Sequence, residues 1–304
     1  MIDSVLLIGF GGPTAPQEIR PFLEIVTRSR RIPPERLEEV AHHYELMPGG
    51  CSPINELTRA QATALENLLR AEDAALPVFV GQRNWHPFLH ETLAEMAARG
   101  QRRALGIILS PLRTEASWDR YMNDVGAARE KTPGAPEIVF APGWGLHPMF
   151  VSAVADRAAA ALLEVPEDDR HWAPMIFSAH SVPVAMAEAS PYVSDFEEAA
   201  HAVIEAIQHP RFTLAYQSRS GSPGEPWLEP DINEVMRSMA ADGEKHAVIV
   251  PLGFVCDHVE ILYDLDVEAR GIAEQHGMAL HRARAVNDHP EFIAMLAHLV
   301  RDAR

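Results

Sequence analysis

Short apolar runs alternate along this chain with longer amphipathic stretches, and the alternation predicts strands and helices in turn. Strands are expected at residues 4–9, 77–81, 104–110 and 137–140, then at 174–178, 213–217, 247–252 and 278–282. Helical periodicity falls between them, at 54–71, 89–99, 147–163, 195–207, 230–241 and 289–302. Strands that alternate with helices pack as parallel sheets covered on both faces, so the chain reads as α/β and doubly wound. The Gly- and Pro-marked run APGWGLHP at 141–148 divides it into halves of four strands each. The expected domains are 1–143 and 144–304, with the last helix free to pack back on the first.

The two halves correspond to one another. Each opens with a buried strand leading to a loop, LLIGFGGP in one and PMIFSAHSVP in the other. Each later sends a strand into a polar helix start, IILSPLRTEASWDRY and VIVPLGFVCDHVEILY. No fixed sequence period recurs, so the duplication is one of fold. Open parallel sheets bind ligands beyond the carboxyl ends of their strands, and these loops fall there.

The helix predicted after the strand at 247–252 carries Glu260, Asp264 and Glu268, one acid every fourth residue. At about 100° per residue a step of four turns the side chain by only about 40°, so the three carboxylates share a face. Like charges at this spacing cost a helix roughly 0.2–0.5 kcal/mol per pair. Such a row is either a solvated acidic face or a site that handles cations or protons, and spacing alone does not choose.

Composition narrows the class. The 304 residues exceed the usual size of a single core, which fits two domains. The chain has 43 acids against 26 bases, a formal charge of −17, which excludes a general nucleic-acid binder. With only Cys51 and Cys256, neither a disulfide framework nor a four-thiolate iron–sulfur cluster is expected. The start MIDSVLLIGFGG lacks a basic segment and reads as a strand rather than a signal peptide. No apolar stretch reaches the ~18–20 residues of a membrane span. A cytoplasmic monomer is expected, with peripheral contact to a membrane or to a pathway enzyme left open.

Several residues could carry chemistry. His180 in SAHSVP follows a strand at the ligand-binding edge, where a neutral imidazole accepts a proton. Paired with Glu260 it suits proton abstraction or metal transfer; as a lone His after a strand it is structural. There is no G-x-S-x-G elbow, so a nucleophilic triad is not expected. The GFGGP loop lacks both the G-x-G-x-x-G pattern and a P-loop Lys; its glycines suit close approach to a flat ligand beside Phe10, or Phe10 is core. Trp227 ends the Ser/Gly/Pro-rich segment 216–231 as a wall or lid, or as part of a plain connection. Arg28, Arg30 and Arg31 could bind carboxylates or form a solvated surface. Ser52 and Tyr121 are candidate donors at the same mouth. Asp257 is a helix cap or a catalytic acid, and His42, His43 and His147 show no metal-ligand spacing.

The segments LLIGFGGPTAPQEIRPFLEIVTRSRRIPPERLEEVAHHYE, GGCSPIN, GQRNWHPF, SAHSVP, YQSRSGSPGEPWLEPDI and PLGFVCDHVEILYDLDVEA occur in one order that resembles the ferrochelatase family, enzymes that insert ferrous iron into a porphyrin. The resemblance runs almost end to end. It implies two Rossmann-like domains of the class II chelatase kind around a porphyrin cleft, ferrous iron as substrate and no required cofactor. It also implies roles. His180 matches the histidine of the family's S-A-H-S motif and Glu260 the glutamate of its D-H-x-E motif. Asp264 and Glu268 match an acidic ridge that guides or holds metal. Phe10 falls against the macrocycle; Arg28, Ser52 and Tyr121 fall where family members contact propionates.

Two departures matter. The chain lacks the cysteine set of cluster-bearing members. Position 10 is Phe, where the coproporphyrin-using branch often has a Tyr able to ligate iron. The QSRSG and PWLEPD segments nevertheless resemble coproporphyrin enzymes, and coproporphyrin III is favoured over protoporphyrin IX. The alternatives are a non-catalytic porphyrin or haem carrier, or a chelatase for another metal and tetrapyrrole.

Overall fold

The computed structural model describes residues 1–28, 33–220 and 224–304. Of the basic run at 28–31, Arg30 and Arg31 lie outside the described residues. The chain divides into two compact units. One comprises Met1–Leu109, Trp118–Pro142 and Ile293–Arg304; the other comprises Ser110–Ser117 and Gly143–Phe292.

The first unit is built on β1 (Ser4–Gly9), β2 (Val78–Gln82), β3 (Arg103–Ile108) and β4 (Glu137–Phe140), all parallel, in the order β2-β1-β3-β4. Every residue of β1 is buried, as expected of a central strand covered on both faces. This is why SVLLIG is continuously apolar after Ser4 rather than alternating. Helices Ile54–Ala71 and Leu89–Ala98 match the periodicity of the sequence, and Ile19–Thr27, Pro34–Glu45 and Arg120–Glu130 add to them. Near the chain end Arg301 reaches Glu72 at 2.6 Å and Arg304 donates to the Ala74 carbonyl.

The second unit repeats the design with β5 (Met175–His180), β6 (Phe212–Gln217), β7 (His246–Val250) and β8 (Ala279–Arg282), parallel and ordered β6-β5-β7-β8. The two sheets therefore share one strand order. One face of the second is covered by helix Ile232–Ala241 and by the helical stretch from Val259 to Gln275, through Met236, Ile261, Leu265 and Ala269. On this unit the segment Ser110–Ser117 is held by Arg113, whose Nε and Nη2 donate to the two carboxylate oxygens of the largely buried Asp195 at 2.9 and 3.1 Å. The segment also runs so close to Gly145 that a Cβ there would lie 2.1 Å from the Pro111 carbonyl oxygen, which requires glycine. Phe292 packs against Trp144 and Phe150.

The stretch from Val259 is not a uniform α-helix. An α-helical turn, Val259–Tyr263, passes into a π-helical segment, Asp264–Ala269, and then into α-helix Arg270–Gln275. A second π segment, Glu115–Asp119, precedes helix Arg120–Glu130. Among the described residues no helix is long and apolar enough to cross a membrane.

Candidate active site

In the second sheet β5 is central, with β6 on one side and β7 on the other. The connections leaving β5 and β7 part at their carboxyl ends, the switch point at which open α/β sheets bind ligands. His180 is the last residue of β5, and the loop after β7 leads into the helix that carries Glu260. The topology thus brings together two residues 80 positions apart. His180 Nε2 lies 3.9 Å from Glu260 Oε2, and both side chains are about one-third exposed (33% and 40%).

The imidazole is oriented by its other nitrogen. His180 Nδ1 lies 2.5 Å from the Ser181 carbonyl oxygen, which can only accept, so Nδ1 carries the hydrogen. In the neutral ring Nε2 then presents its lone pair toward Glu260. Tyr192 fixes the backbone beneath by donating its hydroxyl to the His180 carbonyl at 2.7 Å. Burial drives the Tyr192 pKa far above the ordinary phenol value, which keeps that hydroxyl a donor.

A buried network shapes the loop before Glu260. Asp257 accepts from Ala285 N (3.0 Å), Asn287 Nδ2 (2.7 Å) and Arg282 Nη1 (2.8 Å), while Asn287 Oδ1 accepts from Asp257 N (2.9 Å). Arg282 also donates to Asp266 at 2.7 Å, which ties the π segment to the same centre. Neither sequence reading of Asp257 describes this: the carboxylate clamps the loop. The helix cap is His258, whose Nδ1 accepts from Glu260 N at 3.1 Å. Burial lowers the His258 pKa, and the neutral ring supplies the lone pair that the cap requires.

Asp264 sits one turn beyond Glu260. Its carboxylate accepts from Ser218 Oγ and from Gln217 Nε2 (3.2 Å), and the same Gln217 amide donates to the Glu260 carbonyl (3.1 Å). Burial pushes the Asp264 carboxyl up to about 7, with the charges of Glu260 and Glu268 adding to the effect. Asp264 therefore shares its proton with solvent near neutrality. Glu268 is exposed and accepts from Asn233 Nδ2 at 3.4 Å. Among the described residues no three His, Cys, Asp or Glu side chains form a ready cage for a metal ion. His180 and Glu260 thus offer two donors and leave the remaining positions of a cation open.

Trp227 is buried in this unit. It bridges to Pro183, just past His180, and its Nε1 donates to Glu225 at 3.2 Å. The other candidates belong to the first unit. Phe10 follows β1 with 36% of its surface exposed and its ring edge-on to Phe22. Ser52 is buried and its Oγ accepts from Ile54 N at 3.4 Å, at the start of helix Ile54–Ala71. Tyr121 is buried with the Arg83 guanidinium 5.2 Å from its ring centre, and Arg83 is itself paired with Asp124. Arg28 is exposed at the end of helix Ile19–Thr27. Sequence reasoning passed over Gln217 and Ser218, although both lie in the YQSRSG segment it had marked.

Comparison with known proteins gives the family and the fold. The family model described as ferrochelatase matches residues 3–304. A protein of Frankia alni named coproporphyrin III ferrochelatase is 43% identical over 317 residues, an alignment that covers 100% of this chain and 80% of that one. A protein of the same name from Mycobacterium marinum is 42% identical over 99% of this chain and 87% of its own length. Among solved structures, SirB from Bacillus subtilis with Fe3+ aligns with a TM-score of 0.59 over 99% of this chain and 95% of that one; at 12% identity it speaks to the fold alone. The fold is that of the class II chelatases, and the chain belongs to the ferrochelatase family.

Proposed function

We propose that this ferrochelatase takes coproporphyrin III as its porphyrin, with His180 and Glu260 at the reaction centre. The observation that carries the site is the 3.9 Å approach of His180 Nε2 to Glu260 Oε2 at the sheet's switch point. The porphyrin assignment rests on the names of the Frankia and Mycobacterium relatives.

Iron insertion requires an incoming dication to replace two pyrrole N–H protons. His180 is set to take a proton at Nε2, because Nδ1 is committed to the Ser181 carbonyl. Glu260 supplies a carboxylate for the incoming ferrous ion and for the charge that appears on the imidazole. Before Nε2 takes a proton it can share the incoming cation with Glu260, since the gap exceeds a hydrogen bond but suits bonds of about 2.1 Å to each donor. Asp264, poised near neutrality, and the exposed Glu268 extend the carboxylates outward as a path for iron or for released protons. Phe10, Arg28, Ser52, Tyr121 and Trp227 are proposed to contact the porphyrin. Phe10 offers a ring face and no oxygen to ligate iron.

Anaerobic mixing of the protein with ferrous iron and either coproporphyrin III or protoporphyrin IX, followed by loss of free-base porphyrin absorbance, tests the assignment. Faster turnover of coproporphyrin III is expected; preference for protoporphyrin IX would overturn the porphyrin reading. His180→Ala and Glu260→Gln should each bind porphyrin yet lose about 10²–10⁴ in metallation rate, the usual worth of a positioned acid or base. Near-wild-type rates in both would remove these residues from the mechanism.

A further inference from the structure

A second cluster of titratable groups lies at the opposite, amino-terminal end of the second sheet. His246 opens β7 and His281 lies on β8; in the parallel register His246 pairs with Ala279 and Val248 with His281, so the two histidines are diagonal neighbours on one face. His246 Nδ1 and His281 Nε2 face each other at 3.2 Å. The outer nitrogens point to carboxylates: His246 Nε2 lies 3.5 Å from Asp169 and His281 Nδ1 lies 3.6 Å from Glu164. Both imidazoles are largely buried, at 16% and 13% exposure. Four steps along β7, about 13 Å at 3.3 Å per residue, separate His246 from the end that leads to Glu260.

A carboxylate stands behind each histidine, where it favours a hydrogen on the outer nitrogen. The inner nitrogens, 3.2 Å apart, either close a neutral N–H···N hydrogen bond or, with both lone pairs free, take two ligand positions of one cation seated to the side of the line between them. In tetrahedral sites with metal–nitrogen bonds of about 2.0–2.1 Å, two ligand nitrogens stand roughly 3.3 Å apart, close to the separation seen here. Carboxylates behind imidazoles are the usual outer partners of such ligands. A shared proton is the competing occupant, and burial, with Arg270 and His246 as further opposing charges, lowers the pKa of His281. The neutral ring is the form that ligates a metal.

We propose that His246 and His281 bind one divalent ion of the imidazole-preferring class (zinc, cobalt or nickel), with water completing its shell, at a site distinct from His180 and Glu260. The two-donor shell makes this a modest, exchangeable site rather than a permanent structural one. Asp169 and Glu164 orient the two rings.

The test uses the full chain carrying His180→Ala and Glu260→Gln, so that metal at the reaction centre does not contribute. Titration with Zn2+ by calorimetry, and with Co2+ by visible absorption, should give one equivalent bound. Adding His246→Gln or His281→Gln should abolish that equivalent, and Asp169→Asn or Glu164→Gln should weaken it about tenfold. Circular dichroism unchanged across the variants shows that loss of binding is local. In the otherwise native chain, His281→Gln should leave iron insertion unchanged. Absence of any bound equivalent at millimolar Zn2+, or binding untouched by both histidine substitutions, would overturn the proposal and leave a shared proton as the occupant.

Discussion

Replacing Asp264 by Asn should stabilise the protein, and the gain should depend on pH in a defined direction. The native carboxyl holds its proton up to about 7, against 3.8 for a free one. Between those values the native state binds more protons than the unfolded state, so its stability falls as pH rises, by up to about 1.4 kcal/mol per unit. Over about three units the ceiling is about 4 kcal/mol; solvent screening of this partly exposed side chain brings it to about 2 kcal/mol. D264N removes the charge and keeps an oxygen to accept from Ser218 and Gln217. Urea unfolding of both proteins from about pH 5 to about pH 8 should show D264N the more stable at the alkaline end, with the gap narrowing as pH falls and closing near the free-carboxyl pKa. A gap that does not change with pH, or a variant less stable at pH 8, would refute the argument. A fall in metallation rate alongside the gain in stability is expected if the carboxyl relays protons or iron, the usual cost of stabilising a strained site.

Other substitutions probe the scaffold. Asp257→Ala strips partners from Ala285 N, Asn287 and Arg282 and should cost about 3 kcal/mol by chemical denaturation, with slower metallation as the loop before Glu260 loosens. Arg113→Met leaves the Asp195 carboxylate largely buried without its partner; a loss of about 2 kcal/mol by urea unfolding is expected. Gly253→Ala would place a Cβ 2.7 Å from both Cα and Cβ of Ala179, next to His180, and should cost roughly 1–3 kcal/mol while disturbing the histidine proposed for the reaction centre.

The eight strands were legible because a central parallel strand must be apolar on both faces, and runs such as LLIG and MIF announce that without ambiguity. The convergence of His180 and Glu260 followed from the same logic, since both trail strands that flank one switch point. The settings around them were not legible. Histidine is a rare helix cap, so nothing local marked His258 over Asp257. The partners of Asp264 come from the end of β6, 46 and 47 residues away, and a carboxyl's burial is decided by such distant neighbours. The grouping of Ser110–Ser117 with the second unit depends on the Arg113–Asp195 pair and on the close approach of Pro111 to Gly145, neither of which has a periodic signature.

The π segment explains why the acid row repeats every four residues. In a plain α-helix three such steps drift by about 120°, enough to swing a row from the protein's interior to its surface. Yet Ile261, Leu265, Ala269 and Ala273, also spaced by four, are all fully buried. A π turn closes its hydrogen bonds one residue later and so rotates less per residue, which cancels much of that drift. The inserted slack works as a phase correction. It straightens an apolar seam on one side and a carboxylate track on the other. Deleting a single residue between 264 and 269 should bring the drift back: the downstream acids would turn away from Glu260, and part of the seam would be exposed.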